Sequence, residues 1–243
     1  MKTLTLKSAM LLLGCLLAHP ASANIVGYYN LPIYAGDNLI ANQLDDGGAN
    51  TLNDLFNNSA AVPNGTTFTE WNPSANAYLP VSTYNAATTN WSINYALNTF
   101  VSGQGGLLHS PSPWTATIVG SLVAYTNVLA PSSDLNWNPN YANGLYLLGC
   151  PEPLSGAMDF MFPKIVGRLP QDGEWVKILN PATQTYTTTT FNSSTGWDNG
   201  DPSLGVGQAA WVDLGPVVVP EPTTLALAGL SGLGVLLFRR LRK

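Results

Sequence analysis

Apolar and polar positions alternate with a period of two over several short stretches of the chain, and turn residues separate these stretches. This alternation, together with many β-branched and aromatic residues, predicts short β-strands. Residues 66–71 and 77–84 form one predicted hairpin, and residues 174–179 and 185–191 form a second, each joined through an Asn-Pro turn. Further apolar strands are predicted at residues 26–34, 38–41, 106–108, 122–129, 145–148 and 209–212.

Two stretches place their apolar residues at helical spacing instead. Asn50 is a candidate N-cap for a short helix over residues 51–56. A second short helix is predicted over residues 156–162, and Pro163 is expected to end it, because proline has no N–H for a helical hydrogen bond. Each predicted helix lies between an apolar strand and a hairpin.

The chain also repeats itself when it is shifted by 108 residues. The shift superposes turn glycines, an Asn-Pro turn and one tyrosine, namely Gly36 on Gly144, Gly48 on Gly156, Gly65 on Gly173, residues 72–73 on 180–181, and Tyr78 on Tyr186. Matched turns joined by matched apolar positions predict a duplication. We therefore predict a mainly β fold with two tandem β-rich units, sandwich-like or barrel-like with one short helix each, at residues 24–121 and 122–216. The sequence leaves open whether the units lie side by side or close into one larger sandwich or barrel.

Residues 1–23 have the composition of a secretory signal peptide. Two lysines precede an apolar run at residues 9–18, and the small residues Ala-Ser-Ala follow at 21–23. This order is typical of an exported protein, and cleavage would leave Asn24 as the first mature residue. Lipidation at Cys15 is a rival prediction, because Cys15 ends a Leu-Leu-Gly-Cys stretch that resembles a lipobox.

The C-terminal stretch, residues 217–243, consists of three parts. It contains a Val-Pro-Glu-Pro signature, an uncharged apolar segment at 223–238 and a basic end, with the key residues Val219, Pro220, Glu221, Pro222, Arg239, Arg240, Arg242 and Lys243. Segment 223–238 predicts a transmembrane helix whose basic flank stays on the cytoplasmic side. Its 16 residues are fewer than the roughly 20 that a comfortable span requires, which favours a temporary anchor.

This order of parts resembles the PEP-CTERM sorting signal of exported bacterial proteins. Thr223, the Gly-Leu-Ser-Gly-Leu-Gly run at residues 229–234 and the Arg-Arg pair match the signal as well. The resemblance implies recognition by exosortase, a membrane transpeptidase that cuts near the motif and transfers the protein from the inner membrane to the cell surface. It also implies an association with exopolysaccharide. An ordinary C-terminal membrane anchor is the alternative.

The charge of the body limits its partners. Between Asn24 and Val219 there are thirteen acidic residues and three basic ones, so this part carries a net charge of about −10. Nucleic-acid binding requires clustered cations, so we exclude nucleic acid as a partner. An acidic, Asn- and Thr-rich body suits an extracellular protein that its charge keeps soluble.

Residues for catalysis are scarce in this body. It has one histidine, His109, and the residues near it in the sequence do not supply the combination of carboxylate and nucleophile that a catalytic histidine needs. Cys150 lies in an apolar strand and is interpreted as a buried structural thiol. No pair of carboxylates is marked for glycoside hydrolysis. We therefore predict no catalysis and no cofactor.

Aromatic and acidic loop residues remain as candidate ligand contacts. Trp91 and Trp197 fall in Asn-, Thr- and Asp-rich loops, which makes them the candidates for exposed indoles that stack on sugar rings. The alternative is that both belong to the core, as is usual for tryptophan in small β units. Asp198 and Asp201 are secondary candidates for calcium, because carboxylate oxygens suit a hard cation. Their loop is also an ordinary turn sequence, so no metal is predicted.

The sequence predicts an exported, non-enzymatic structural protein of the cell surface or extracellular matrix. The alternative is a carbohydrate-binding or adhesive surface module. The body also resembles a loosely defined β-rich module of exported bacterial proteins, through residues 38–40 (Asn-Leu-Ile), 71–73 (Trp-Asn-Pro) and 103–105 (Gly-Gln-Gly). That resemblance implies no single activity.

Overall fold

The computed structural model describes residues 26–56, 62–96, 105–122 and 143–215. Within these ranges the chain forms fifteen β-strands and two α-helices, so the prediction of a mainly β fold is confirmed. The predicted signal peptide and the transmembrane segment at 223–238 lie outside the described residues. Neither of the described helices has the length and apolar character needed to cross a membrane.

The helices are α1 (Leu52–Phe56) and α2 (Met158–Val166). The strands are β1 (Val26–Ile33), β2 (Gly36–Ala41), β3 (Thr67–Asn72), β4 (Ala77–Tyr78), β5 (Ser82–Asn85), β6 (Asn90–Trp91), β7 (Gly105–Ser110), β8 (Trp114–Ser121), β9 (Gly144–Gly149), β10 (Gly156–Ala157), β11 (Trp175–Asn180), β12 (Thr185–Asn192), β13 (Gly196–Trp197), β14 (Ser203–Leu204) and β15 (Ala209–Leu214). Apart from Leu122, the strand predicted at 122–129 lies outside the described residues.

Two larger sheets have the same strand order. The first runs β2-β7-β3-β5-β6, with β4 beside β3, and the second runs β9-β15-β11-β12-β13. The register matches too, with the opposed pairs Gly36–Ser110 and Thr67–His109 in the first sheet, and Gly144–Leu214 and Trp175–Asp213 in the second. In each sheet, the strand that comes last in the sequence of that sheet (β7 or β15) lies between the first strand and the hairpin.

The hairpins of the two sheets differ in continuity. In the second sheet β12 is a single strand of eight residues. In the first sheet the predicted strand 77–84 is divided into β4 and β5, with Pro80 between them. Proline has no N–H to donate to a neighbouring strand, which explains the interruption.

A separate two-stranded ribbon joins β1 to β8. All eight residues of β1 pair antiparallel with β8. No strand was predicted between residues 108 and 122, yet the full strand β8 follows the short connection at residues 111–113. Ala116 and Ile118 are buried while Thr115 is exposed, the alternation of a strand with one face on a core.

Helix α2 continues past the proline that was expected to end it. Pro163 lies inside the helix, and the buried residues Phe162, Ile165 and Val166 flank it. Their packing into the core outweighs the loss of one helical hydrogen bond. The helix ends instead at Gly167, whose left-handed backbone (φ 80°) lets its N–H donate to the carbonyl of Pro163 at 2.8 Å.

Three apolar clusters arrange the molecule in layers. The first lies between the first sheet, α1 and the β1–β8 ribbon, and it includes Phe68 and Leu108. The second lies between the second sheet and α2, and it includes Val176 and Phe162. The third contains residues of both sheets, namely Leu39, Ala41, Trp71, Leu147, Leu179 and Ala209. The two sheets therefore pack face to face through this third cluster.

Small residues let the sheets approach each other at one corner. A β-carbon on Gly105 would lie 2.7 Å from the side chain of Ala209, so only glycine fits there without a shift. At the same corner the amide of Ala41 donates a hydrogen bond to the carbonyl of Gly207 at 2.9 Å. The two sheets are thus joined by backbone hydrogen bonding as well as by apolar contact.

Candidate functional site

The residues of the predicted sorting tail lie outside the described residues. This applies to Cys15 as well, and to Val219, Pro220, Glu221, Pro222, Arg239, Arg240, Arg242 and Lys243. The last described residue is Gly215, whose amide donates a hydrogen bond to Oε1 of the buried Glu174 at 3.0 Å. The folded body is therefore held in place up to Gly215, two positions before the tail begins.

The two tryptophans that we predicted to stack on sugars are buried. Trp91 in β6 is 5% exposed and Trp197 in β13 is 6% exposed. Trp91 packs against Phe56 of α1, and Trp197 packs against Phe162 of α2, each with ring centroids 5.9 Å apart. Nε1 of Trp197 also donates to Oδ1 of Asp159 at 2.8 Å. The prediction that these indoles are exposed is wrong, because each short strand folds its tryptophan onto the helix of its own half.

The acidic loop residues accept hydrogen bonds from the surrounding fold. Oδ1 of Asp198 accepts from the amide of Thr190 at 2.9 Å and from the hydroxyl of Thr189 at 3.0 Å, and these bonds hold the pKa of Asp198 below its usual range. Oδ1 of Asp201 accepts from the amide of Asp159 at the start of α2. Among the described residues, no group of three or more His, Cys, Asp or Glu could hold a metal ion. The structure thus assigns the two calcium candidates to a turn and a helix start.

His109 has a carboxylate partner that the sequence did not indicate. Its Nδ1 lies 2.7 Å from Oδ1 of Asp37, which is directly opposite it across β2 and β7. The expectation that no carboxylate accompanies this ring is wrong, because antiparallel pairing brings together two residues that are 72 positions apart. The pair is largely exposed to solvent.

Burial shifts the pKa of two groups within the body. Cys150 is a free and fully buried thiol, as predicted, and burial raises its pKa to about 11. Burial also raises the pKa of Glu70 in β3 to about 7. Such values are frequent in functional sites. Glu70 nevertheless lies on the same face of β3 as Phe68, two residues before it, and this face is directed into the first apolar cluster.

Exposed aromatic rings come together at the edge of the gap between the two sheets. Tyr78 in β4 and Tyr186 in β12 are each 41% exposed. The ring of Tyr78 lies 5.2 Å from Trp71 and 5.9 Å from Trp211, and Nζ of Lys177 lies 4.6 Å from the centre of the Tyr186 ring. Lys177 is paired with Trp211 across β11 and β15, so the contacts of Tyr78 and those of Tyr186 belong to one surface. We call Tyr78, Tyr186, Trp211 and Lys177 the tyrosine face.

Polar groups of the first sheet border the tyrosine face. The side-chain amide of Gln184 accepts from the N–H of Asp37 at 2.7 Å and donates to its carbonyl at 3.0 Å, which holds the start of β12 against the start of β2. Burial raises the pKa of Tyr78 to about 12, and the nearby Tyr186 and Asp37 add to the shift. Burial and Asp37 raise the pKa of Tyr186 as well. Both phenols are therefore uncharged at neutral pH, with a carboxylate nearby.

Comparison with protein families bears on the C-terminal stretch. A family model for the PEP-CTERM protein-sorting motif matches residues 218–243. The chain carries a PEP-CTERM sorting motif. This match confirms the resemblance drawn from the sequence, and the motif implies export, C-terminal membrane anchoring before processing, and recognition by exosortase. No curated protein and no solved structure matches the chain.

Sequence reasoning did not select the tyrosine face as a site. In the sequence, Tyr78 and Tyr186 stand out only as matched positions of the repeat, and Lys177 and Trp211 only as strand residues. One usable signal is that the same hairpin position carries an exposed tyrosine in both halves. The PEP-CTERM motif, in contrast, is a contiguous string, so the sequence alone sufficed to find it.

Proposed function

We propose that the chain is a structural protein of the cell surface or extracellular matrix that is sorted through its PEP-CTERM motif and has no catalytic activity. The observation that carries this proposal is the motif at residues 218–243, which begins three positions after Gly215, the last described residue of the body. Segment 223–238 would hold the chain in the inner membrane until exosortase acts, with the basic end on the cytoplasmic side. The acidic body would then lie outside the membrane.

We also propose that the body consists of two tandem units, at residues 24–121 and 122–216. The shared strand order and register of the two sheets support this division. The equivalent placement of Trp91 and Trp197, each on the helix of its own half, supports it further. An experimental structure in which the two sheets fail to superpose strand for strand would contradict it.

The sorting proposal is tested by following the full chain in cells with and without exosortase. We expect a shortened chain at the surface in the first case and a full-length precursor in the membrane fraction in the second. Glu221→Ala should also leave the precursor uncut. Glu152→Ala is the matched control, because residues 151–153 repeat the Pro-Glu-Pro tripeptide inside the folded body. A precursor that keeps its length in every strain would contradict the proposal.

Carbohydrate binding is a second candidate function, and the tyrosine face favours it. Tyr78 and Tyr186 offer flat apolar rings to solvent, and charged groups lie beside them. Ligand sites commonly combine aromatic side chains with a few polar groups that orient the ligand. Binding of a matrix polysaccharide is compatible with the structural role, because a matrix protein has to hold its polymer.

A further inference from the structure

Packing and hydrogen bonds fix the orientation of the two tyrosine rings of the tyrosine face. Tyr78 packs against Trp71 and Trp211 at nearly perpendicular angles of 82° and 73°. Trp71 is buried and donates its Nε1 hydrogen bond to the carbonyl of Leu145 at 2.8 Å, so the support beneath Tyr78 spans both sheets. Tyr186 is held in a similar way, because Gln184 attaches its strand to Asp37 of β2. Binding to rings that are already ordered costs little conformational entropy.

Lys177 is the one cation in the described part of the body that has no carboxylate partner. Lys164 pairs with Glu152 at 3.4 Å, and Arg168 pairs with Glu174. The ammonium group of Lys177 lies over the ring of Tyr186 instead. A donor of up to three hydrogen bonds is therefore placed on the aromatic surface and is not neutralised by an ion pair.

Asp37 supplies the complementary acceptor. Its carboxylate contacts His109 at 2.7 Å, and its backbone is hydrogen-bonded to the side chain of Gln184, two residues before Tyr186. Its side chain is 41% exposed, so one oxygen can accept a hydrogen bond from a ligand. The surface thus combines apolar ring faces, a donor and an acceptor.

We propose that the tyrosine face binds an uncharged polysaccharide, with sugar rings stacked on Tyr78 and Tyr186 and hydroxyl groups bonded to Lys177 and Asp37. This rests on the proposed carbohydrate-binding function and adds the individual contacts and the class of ligand. A pyranose ring carries C–H groups on its faces and hydroxyl groups around its rim. The aromatic rings contact the C–H faces, and the ammonium and carboxylate groups form hydrogen bonds with the hydroxyl groups.

Electrostatics favours a neutral polymer over an acidic one. The body from Asn24 to Val219 carries thirteen acidic residues against three basic ones, so an anionic chain is repelled on approach. At the site itself the carboxylate of Asp37 lies beside the rings and opposes a second carboxylate. One ammonium group, on Lys177, does not reverse this field.

The test is native affinity electrophoresis of the full chain, kept soluble in a polyoxyethylene detergent because sugar-based detergents would compete. Gels contain hydroxyethyl cellulose, galactomannan or amylopectin as neutral probes, or alginate as the acidic probe. Tyr78→Ala and Tyr186→Ala should each weaken retardation by a neutral probe roughly tenfold. Tyr78→Phe keeps the ring and should bind within about twofold of the original chain. Tyr28→Ala is the matched control, because Tyr28 is a tyrosine 72% exposed on β1, which belongs to the separate ribbon.

The outcomes separate the site from the function. The proposal is supported if the original chain binds a neutral polymer equally well at about 0.05 and about 0.5 M NaCl, and if both alanine variants lose this binding while keeping their melting temperatures. Equal binding by the original chain and both alanine variants overturns the site and leaves carbohydrate binding in place. Binding to alginate alone, abolished by salt, overturns the neutral ligand. Failure to bind any of the four polymers overturns both the site and the carbohydrate-binding function, whereas sorting is judged separately by processing of the tail.

Discussion

Replacing Arg168 by methionine tests what holds the end of the folded body together. The carboxylate of Glu174 is 0% exposed and accepts two hydrogen bonds from the guanidinium group of Arg168, one of them at 2.8 Å. It also accepts from the backbone amides of Gln171 at 2.8 Å and Gly215 at 3.0 Å. Arg168→Met keeps a long apolar side chain but leaves this carboxylate with two amides and no cation.

The magnitude follows from the burial of the charge. Removing one partner of a buried ion pair typically destabilises a protein by about 3–5 kcal/mol. The two backbone amides remain, and Arg168 is itself 23% exposed, so we expect the lower end of this range, about 3 kcal/mol. In the double variant Arg168→Met with Glu174→Gln the buried charge is gone as well, so part of the lost stability should return.

The assay is equilibrium unfolding in urea, followed by tryptophan fluorescence. Lys164→Met is the matched control, because Lys164 and Glu152 form a partly exposed pair at 3.4 Å whose loss should cost at most about 1 kcal/mol. The reasoning is refuted if Arg168→Met loses no more stability than Lys164→Met. A double variant that recovers nothing would show that the unpaired charge is not the cause.

Three further outcomes are expected. The pKa of Glu70 is about 7 in the fold against an ordinary 4.5, so the folded state binds the proton more tightly. Stability should therefore fall by roughly 3 kcal/mol as pH rises from 4.5 to above 7, and urea titrations of Glu70→Gln should lack this dependence. Asp159→Ala removes the hydrogen-bond acceptor of Nε1 of the buried Trp197, and the expected loss of stability is about 1–3 kcal/mol. A thermal melt that shows a smaller loss would count against this role of Asp159. Gly149→Ala should cost about 1–3 kcal/mol by overpacking the facing sheets, whereas Gly27→Ala, with open space around it, should melt like the original chain.

Local patterns placed most of the strands. The second hairpin was expected at residues 174–179 and 185–191 and lies at Trp175–Asn180 and Thr185–Asn192. Alternation and turn chemistry are properties of neighbouring residues, so they are visible without the fold. The errors occur where distant contacts decide. Helix α2 runs through Pro163 because core packing holds it, and β8 exists as a strand because β1 supplies its hydrogen-bonding partner.

Predicting the candidate site failed for the same reason. Trp91 and Trp197 are surrounded in the sequence by polar residues, which indicated exposure, yet each indole is covered by the helix of its own half. His109 was expected to lack a carboxylate, yet antiparallel pairing places Asp37 beside it. Exposure and pairing depend on which strands become neighbours, and this information is absent from local composition.

The sequence by itself determined that this protein carries a sorting motif and what class of fold it adopts. A sorting motif is recognised as a contiguous string at residues 218–243, and strand alternation is a local property, so neither depends on long-range contacts. Only the tertiary structure decided which aromatic rings meet solvent. The tyrosine face joins Tyr78 from the first hairpin to Trp211 from the last strand, and these become neighbours only when the two sheets pack face to face.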